Sequence, residues 1–208
     1  KLQFINGNEI HIPVLKWQKA KPLDTITFEM LYPYGYTAAQ VPEAIKLLYA
    51  HNGAVLISPT HRLIKNRNWM ILAPLETATN TSVVVVDQNE ASVHYPGGTI
   101  QLQTCAAQVP EASDAYSCML DAAALQFPLI LRPAATGYYF YPLGMQKKKK
   151  LSKFFIDLKL SKTAKEKVWV LVSNNRIAWV IGYRIDNRFK ITPASTEAVK
   201  FTFSPTAL

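Results

Sequence analysis

The sequence predicts an α+β fold in two modules: a small mixed helix and hairpin module, then a sheet-rich module with short helices. Helical spacing of apolar residues is confined to short stretches, strand-like runs rich in valine and isoleucine fill the second half, and no internal repeat is visible. Hydrophobic residues make up 49% of the 208 residues and charged residues 18%, which is enough apolar material for a packed core.

The first module is predicted to combine helices with a small sheet. Pro22 and Pro42 suit the first turn of a helix, where the missing N–H needs no partner. Thr37 and Gln40 have the spacing of a capping box. The predicted elements, in order, are a strand at 9–15, a helix from Leu23 that ends before Pro33, a helix after Pro42, a strand at 54–58 and a hairpin at 62–72.

The second module is predicted to be mostly strands. Two runs around residues 173–175 are apolar at nearly every position, so both faces of that hairpin should be covered. Asn174 and Asn175 tolerate the positive φ of its tight turn. The other predicted elements are strands at 82–87, 91–95, 98–104, 116–122, 127–132 and 198–203, a helix at 151–158 with Leu151, Phe154, Phe155 and Leu158 at helical spacing, and a second short helix after Ser161.

Polar, threonine-rich residues from Pro74 to Ser82 indicate a connection between the modules. The predicted division is a first domain at 1–76, connecting strands at 77–97 and a second domain at 98–208. The longest apolar runs are far shorter than the roughly 20 residues of a membrane helix. Because the chain begins at Lys1 and not at methionine, with no signal segment, we expect it to be a piece of a longer protein.

The charge is concentrated in the last third of the chain. Residues 1–131 contain 8 Lys and Arg against 10 Asp and Glu, a net of −2, whereas residues 132–208 contain 15 against 4, a net of +11, and together these give the total of +9. Such an imbalance predicts an anionic partner, either nucleic acid or an anionic membrane. A basic amphipathic helix would favour the membrane, but these cations lie on a loop and among strands, which favours nucleic acid.

The densest positive charge is the run of four lysines in FYPLGMQKKKKLSKFFID, residues 140–157. Neighbouring charges about 4 Å apart repel by on the order of 4 kcal/mol at an effective dielectric of about 20. A chain tolerates this on a solvated surface loop, or because a polyanion neutralises it. Pro142 and Gly144 constrain the loop, and downstream arginines add charge, which favours the polyanion.

The sequence contains no glycine-rich phosphate loop, HExxH or GxSxG motif, and its four histidines are scattered. Residues 58–62 (SPTHR) are the densest polar cluster of the first module. They either contact a substrate backbone or form a hydrogen-bonded hairpin entrance. Cys105 and Cys118 lack metal-ligand spacing and are expected to be free thiols in a reducing compartment, with a disulfide as the alternative.

Residues 141–190 carry motifs that resemble the C-terminal domain of tRNA(Ile)-lysidine synthetases. The PLGM motif, the lysine run, the Phe154-Phe155 pair and a WVxGxRID pattern at 179–186 occur in order and at the family's spacing. The resemblance covers about residues 127 to 203. LYPYGY at 31–36 and SPTHRL at 58–63 resemble the family's middle domain more loosely.

The resemblance implies that the whole protein is an ATP-dependent ligase that joins lysine to the wobble cytidine, C34, of the AUA-decoding tRNA(Ile). The family's ATP-pyrophosphatase domain carries an SGGxDS loop, which is absent here. This chain is therefore expected to be the cytoplasmic tRNA-binding portion, inactive alone. It should need no cofactor, because ATP and magnesium act in the missing domain. The expected partner is tRNA(Ile) and not a membrane; the oligomeric state stays open, a homodimer included.

The resemblance and the charge together predict an RNA-binding set with no catalytic or metal residues. Its members are Arg132, Lys147, Lys148, Lys149, Lys150, Lys153, Arg184, Arg188 and Lys190. The family usually has RxWxxGDRF before PLGM, but residues 132–140 here are RPAATGYYF, so that part of the site should be weakened or rearranged. The alternatives are a free-standing basic module for an acidic protein or anionic lipid, and a complete small enzyme with an unrecognised site.

Overall fold

The computed structural model describes residues 2–75, 83–109 and 114–206. They divide into two compact units, one formed by residues 2–75 with 161–163 and the other by the remainder. Short helices and antiparallel sheets occur in both units, which confirms the α+β prediction. Among the helices of these residues, none is both long enough and apolar enough to span a bilayer.

Unit 1 is a five-stranded antiparallel sheet, in the order β1-β2-β5-β4-β3, with three helices. Its core joins helix residues such as Trp17 and Leu47 to strand residues such as Leu63 and Leu72. The elements are β1 (Phe4–Asn6), β2 (Glu9–Pro13), α1 (Val14–Gln18), α2 (Leu23–Leu31), α3 (Val41–Leu47), β3 (Val55–Ile57), β4 (His61–Asn66) and β5 (Trp69–Pro74).

The predicted strand at 9–15 is wrong at its C-terminal end, because β2 stops at Pro13 and α1 begins at Val14. The helical turn carries Trp17 into the core, where it is fully buried. The indole Nε1 of Trp17 donates to Thr27 Oγ1 at 2.8 Å. Burial of this large side chain with its polar atom satisfied favours the helix over the weak alternation of the sequence.

Unit 2 contains two sheets and a two-stranded ribbon, all antiparallel. The sheet orders are β15-β14-β13-β10-β6 and β7-β8-β16-β9, and β11 pairs with β12 in the ribbon. The elements are β6 (Val84–Val86), β7 (Ser92–Tyr95), β8 (Gly98–Ala106), β9 (Ser117–Asp121), β10 (Leu129–Pro133), β11 (Tyr139–Phe140), β12 (Lys149–Lys150), α4 (Leu151–Asp157), β13 (Trp169–Ser173), β14 (Arg176–Val180), β15 (Arg184–Ile185) and β16 (Glu197–Pro205). A further short helix, α5 (Lys162–Glu166), begins in the 161–163 segment assigned to unit 1 and ends in unit 2.

The β13–β14 hairpin is covered on both faces, as its continuous apolar runs predict. Trp169 and Leu171 pack in a core shared with the four-stranded sheet. Val170 and Val172 point to the other face and pack with the ribbon and α4. The predicted turn is also confirmed, with Asn174 and Asn175 at φ of 44° and 58°. This hairpin is therefore the rigid support on which the ribbon and α4 rest.

The connection predicted at 77–97 contains two strands that join unit 2. β6 pairs with β10, and β7 pairs with β8. The predicted boundary between residues 76 and 77 lies outside the described residues. The division into domains at 1–76, 77–97 and 98–208 stays a prediction.

Candidate nucleic-acid interface

The lysine run is half loop and half strand. Lys147 and Lys148 lie in the loop between β11 and β12, and Lys149 and Lys150 form β12 opposite β11. In extended backbone, successive side chains point to opposite faces. Neighbouring ammonium groups on β12 are therefore directed apart. This geometry lowers their repulsion even when no counterion is bound.

Lys149 lies on the inner face of the ribbon. It is the cross-strand partner of the buried Phe140. Its Nζ forms an ion pair with Asp157 at 2.6 Å and lies 6.0 Å from the ring centroid of Phe154. Lys147, Lys148 and Lys150 are exposed. The run thus presents three lysines to solvent and uses the fourth to attach β12 to α4.

The helix α4 fixes the ribbon to the sheet. Its apolar spacing buries Leu151, Phe154 and Phe155, as predicted. Leu158 is an exception, because it follows the last helical residue and is exposed. The Phe154 ring contacts Phe140 edge-on at 5.0 Å between centroids, and the amide of Leu151 donates to the carbonyl of Tyr138 at 2.9 Å. The exposed lysines are therefore held on a packed base.

Three tyrosines in residues 138–141 each lie under a cation from the predicted RNA-binding set. Tyr138 lies just before β11, Tyr139 in β11 and Tyr141 just after it. A cation over an aromatic ring gains about 0.5–1 kcal/mol at an exposed site. The pairs are Arg132 with Tyr138 at 4.6 Å, Lys148 with Tyr139 at 5.3 Å and Arg188 with Tyr141 at 4.5 Å from the ring centroid.

The carboxylate of Asp186 is fully buried beside this segment and accepts four hydrogen bonds. Two come from the backbone amides of Tyr141, at 2.8 Å, and Arg188, at 2.9 Å. The other two come from the guanidinium of Arg188, at 2.9 Å from Nε and 2.8 Å from Nη2. The hydrogen bond to Asp186 raises the pKa of Arg188 above its usual value. Part of the charge of Arg188 is thus neutralised within the fold.

Backbone hydrogen bonds extend this attachment along the PLGM segment. The amide of Leu143 donates to the carbonyl of Ile185 at 3.0 Å, and the amide of Asn187 donates to Tyr141 at 2.6 Å. Gly144 has φ of 85°, in the left-handed region that favours glycine, and its amide donates to Asn187 Oδ1 at 3.3 Å. The segment before the lysine run is therefore bound to the turn that carries Arg188.

Lys153, Arg184 and Lys190 are all exposed, on α4, on β15 and just after the 3₁₀ turn at 187–189, respectively. Arg132, in β10, is half-buried, and within the described part of the chain its buried Nε has no hydrogen-bond partner. The contacts bring Arg132, Lys148 and Arg188 onto one tyrosine segment. That any of the nine cations contacts RNA stays a prediction.

The polar cluster at 58–62 forms a hydrogen-bonded hairpin entrance in unit 1. Ser58 is buried; its hydroxyl donates to the carbonyl of Tyr34 at 2.6 Å and accepts from the amide of His61 at 2.9 Å. Thr60 Oγ1 donates to the same Tyr34 carbonyl at 3.0 Å. Gly35, at φ of 80°, lies close to Thr60. The two sequence motifs of this unit therefore meet at one structural junction.

Both units match models of one protein family. Residues 5–75 match the TilS substrate binding domain, and residues 129–201 match the TilS substrate C-terminal domain. The chain belongs to the TilS family. All nine predicted cations lie within the TilS C-terminal match, as do the three tyrosines and Asp186.

Two relatives extend the TilS assignment along the chain. A tRNA(Ile)-lysidine synthase of Parabacteroides distasonis is 34% identical over 86% of this chain and 41% of its own length. One of Bacteroides thetaiotaomicron is 29% identical over 96% of this chain and 44% of its own length. The chain thus spans less than half the length of these TilS relatives.

Part of this chain also shares its fold with a solved structure. The crystal structure of a TILS C-terminal domain superposes with a TM-score of 0.53 over 61% of this chain and all of that domain, at 17% identity. At this identity the likeness bears on the fold alone.

The sequence-based site missed the tyrosines and Asp186. The missing tryptophan, carboxylate and second arginine of the family's pattern predicted a weakened or rearranged segment, and in the structure Tyr138 and Tyr139 lie under cations there. The effect of this departure on RNA binding stays a prediction. The signal that could have identified these tyrosines is the density of aromatic residues in YYFY at 138–141. Asp186 was visible within the WVxGxRID pattern, but its burial depends on the fold.

Proposed function

We propose that this chain is the tRNA-recognition part of a tRNA(Ile)-lysidine synthase and that it carries no catalytic residues. The observation that carries the proposal is a cationic segment within the TilS C-terminal match. This segment consists of residues 138–150, which pack on α4, and the cations that contact its tyrosines. Of the three exposed lysines, Lys150 lies on the ribbon packed against α4, and Lys147 and Lys148 lie in the loop just before β12. Cations from β10 and from the turn after β15 contact the adjoining tyrosines within the same family match.

The segment can bind RNA by charge and shape. Lysine ammonium groups neutralise phosphates and release counterions, and such contacts position a nucleic acid without reading its bases. The described part of the chain has no long basic helix for insertion into a groove. Recognition of a folded RNA by its backbone and shape fits this surface.

The whole protein is proposed to use ATP, with magnesium, to join lysine to C34 of tRNA(Ile) in the cytoplasm. ATP and magnesium would act in a domain other than residues 1–208, because residues 1–208 contain no SGGxDS loop to hold a triphosphate. The end of the first family match at residue 75 supports a domain boundary near residue 76. The pairing of β6 and β7 with strands of unit 2 favours placing residues 83–97 in the second domain.

The test replaces Lys147, Lys148 and Lys150 with alanine and measures binding of tRNA(Ile) by gel shift across a range of salt concentrations. Lys149 is left unchanged because its ion pair supports the ribbon. We expect weaker binding and a plot of log affinity against log salt that is flatter by up to about 2.7, since each phosphate contact contributes about 0.9. The melting temperature should be nearly unchanged.

The matched control removes the same charge from unit 1 by replacing Lys19, Lys21 and Lys46, which are also exposed. This control should retain both the affinity and the salt slope. Equal losses in the two triple variants would mean that net charge alone drives binding, and no loss in either would refute the proposed site. Competition of tRNA against anionic vesicles separates RNA recognition from general binding of anions.

A further inference from the structure

A second surface feature of unit 2 is a cleft walled by aromatic rings. It has a volume of about 320 Å³ and is lined by Tyr95, Tyr116, Trp169, Tyr183 and Phe203, with Gly97 and Gly182 between them. This volume lies at the lower end of small-molecule sites, about 300–1,000 Å³. None of these residues belongs to the cationic segment described above.

The rings form a continuous wall from the core to the surface. Tyr95 and Trp169 are buried and meet at 4.8 Å between ring centroids. Phe203 lies 6.2 Å from Tyr95 and stacks on Tyr116 at 6.0 Å with an interplanar angle of 29°. Tyr116 is 53% exposed, so the stack ends in solvent with part of a ring uncovered.

Backbone geometry keeps the cleft open. A Cβ on Gly97 would lie 2.4 Å from the Tyr95 ring and 3.0 Å from Trp169, so no side chain fits there without moving the wall. Gly182 has φ of 77°, which disfavours other residues. The amide of Phe203 donates to the carbonyl of Tyr116 at 2.6 Å, which fixes the outer pair of rings.

The polar groups of the cleft suit a neutral ring carrying a phosphate. The phenols of Tyr95 and Tyr183 are uncharged at neutral pH, because an ordinary tyrosine has a pKa of about 10. Burial raises the pKa of Tyr95 further, and burial, with the proximity of Tyr116, does the same for Tyr183. Lys167 is exposed and belongs to the lining of the cleft. An aromatic wall beside a cation is the arrangement that binds single-stranded nucleotides, because every base presents a π-face.

We propose that this cleft binds one unpaired nucleobase of a bound RNA, stacked against Tyr116, with its phosphate near Lys167. The inference rests on the proposed function, since the cationic segment supplies most of the attraction. The cleft adds a preference for RNA that displays an unstacked base, which phosphate contacts alone do not give.

The experiment uses the full 208-residue chain and a four-nucleotide single-stranded RNA that contains 2-aminopurine, whose fluorescence falls when it stacks on an aromatic ring. The comparison probes are the same four nucleotides within the stem of a stable hairpin, and an unlabelled strand with an abasic site at the 2-aminopurine position, whose affinity is measured by competition. We expect quenching of the single-stranded probe, no further quenching of the hairpin probe and weaker competition by the abasic strand than by an unmodified strand. Tyr116→Ala should weaken that binding by about 5- to 150-fold, the range for loss of one stacked base.

Two variants control for effects other than stacking. Tyr116→Phe keeps the ring and should bind like the wild type. Tyr49→Ala removes a tyrosine of unit 1 that is 71% exposed and should have no effect. Wild-type affinity in Tyr116→Ala, or equal affinity for the abasic strand, would overturn the inference.

Gel shift with intact tRNA separates the two proposals. If the chain binds tRNA but never quenches the 2-aminopurine, the cleft proposal alone fails. If the chain binds neither tRNA nor the short strand, the proposed function fails with it.

Discussion

Replacing Arg188 with alanine should lower the stability of unit 2, because Arg188 neutralises a buried carboxylate. The variant removes two charge-assisted hydrogen bonds, at 2.9 and 2.8 Å, and leaves fully buried Asp186 with only two backbone donors. Removing one partner of a buried ion pair costs about 3–5 kcal/mol. The Arg188 side chain is 30% exposed, so solvent screens the pair and we expect the lower end, about 3 kcal/mol.

The assay is thermal unfolding followed by circular dichroism, together with tRNA gel shift. A loss of about 3 kcal/mol corresponds to a fall in Tm of about 6–12 °C for a chain of this size. Arg188→Lys keeps the charge but cannot reproduce the two-pronged contact, so its Tm should lie between those of the wild type and the alanine variant.

A double variant tests the cause of the loss. The double variant Arg188→Ala with Asp186→Asn removes the uncompensated charge. The free energy of unfolding that it loses should therefore be smaller than the sum of the losses in the two single variants. If Arg188→Ala keeps the wild-type Tm and only weakens tRNA binding, the structural role is refuted and Arg188 acts as a free phosphate contact.

Three further predictions concern other parts of the chain. Ser58→Ala should lower the free energy of unfolding of unit 1 by about 1–3 kcal/mol in urea denaturation, because the Tyr34 carbonyl loses a 2.6 Å donor; an unchanged value would contradict the junction. Cys118 is buried, which raises its pKa, so a thiol reagent should modify the half-buried Cys105 faster in the native chain, and equal rates would be evidence against this burial. Burial raises the pKa of Tyr95, so its contribution to stability is full below pH about 10 and is lost as pH rises further. The urea midpoint should therefore fall less at alkaline pH in Tyr95→Phe than in the wild type. An identical fall in the two proteins would refute the coupling between ionisation of Tyr95 and stability.

Local patterns were sufficient for the elements with strong periodicity. The spacing of Leu151, Phe154 and Phe155 predicts α4, and the two apolar runs around Asn174 predict a hairpin covered on both faces. These predictions hold because local propensity and burial favour the same structure. The turn from β2 into α1 was missed, since the burial of Trp17 depends on contacts with residues that follow it in the chain.

The ribbon could not be predicted from its own residues. β11 and β12 are two residues each, and lysines are poor strand formers. The pairing exists because Phe140 packs on α4 and Lys149 reaches Asp157, contacts that involve residues on three different segments. A surface loop was therefore predicted where the structure has part of a strand.

The sequence by itself determined the total charge, its concentration in residues 132–208 and the family, because these depend only on which residues follow one another. Tertiary structure decided which cations face solvent. It directed Lys149 towards Asp157, paired Arg188 with Asp186 and left Lys147, Lys148 and Lys150 exposed. The physical reason is that the accessibility of a charge depends on how folding orients and buries its neighbours, even where, as with Asp157 and Asp186, they lie only eight and two residues away along the chain.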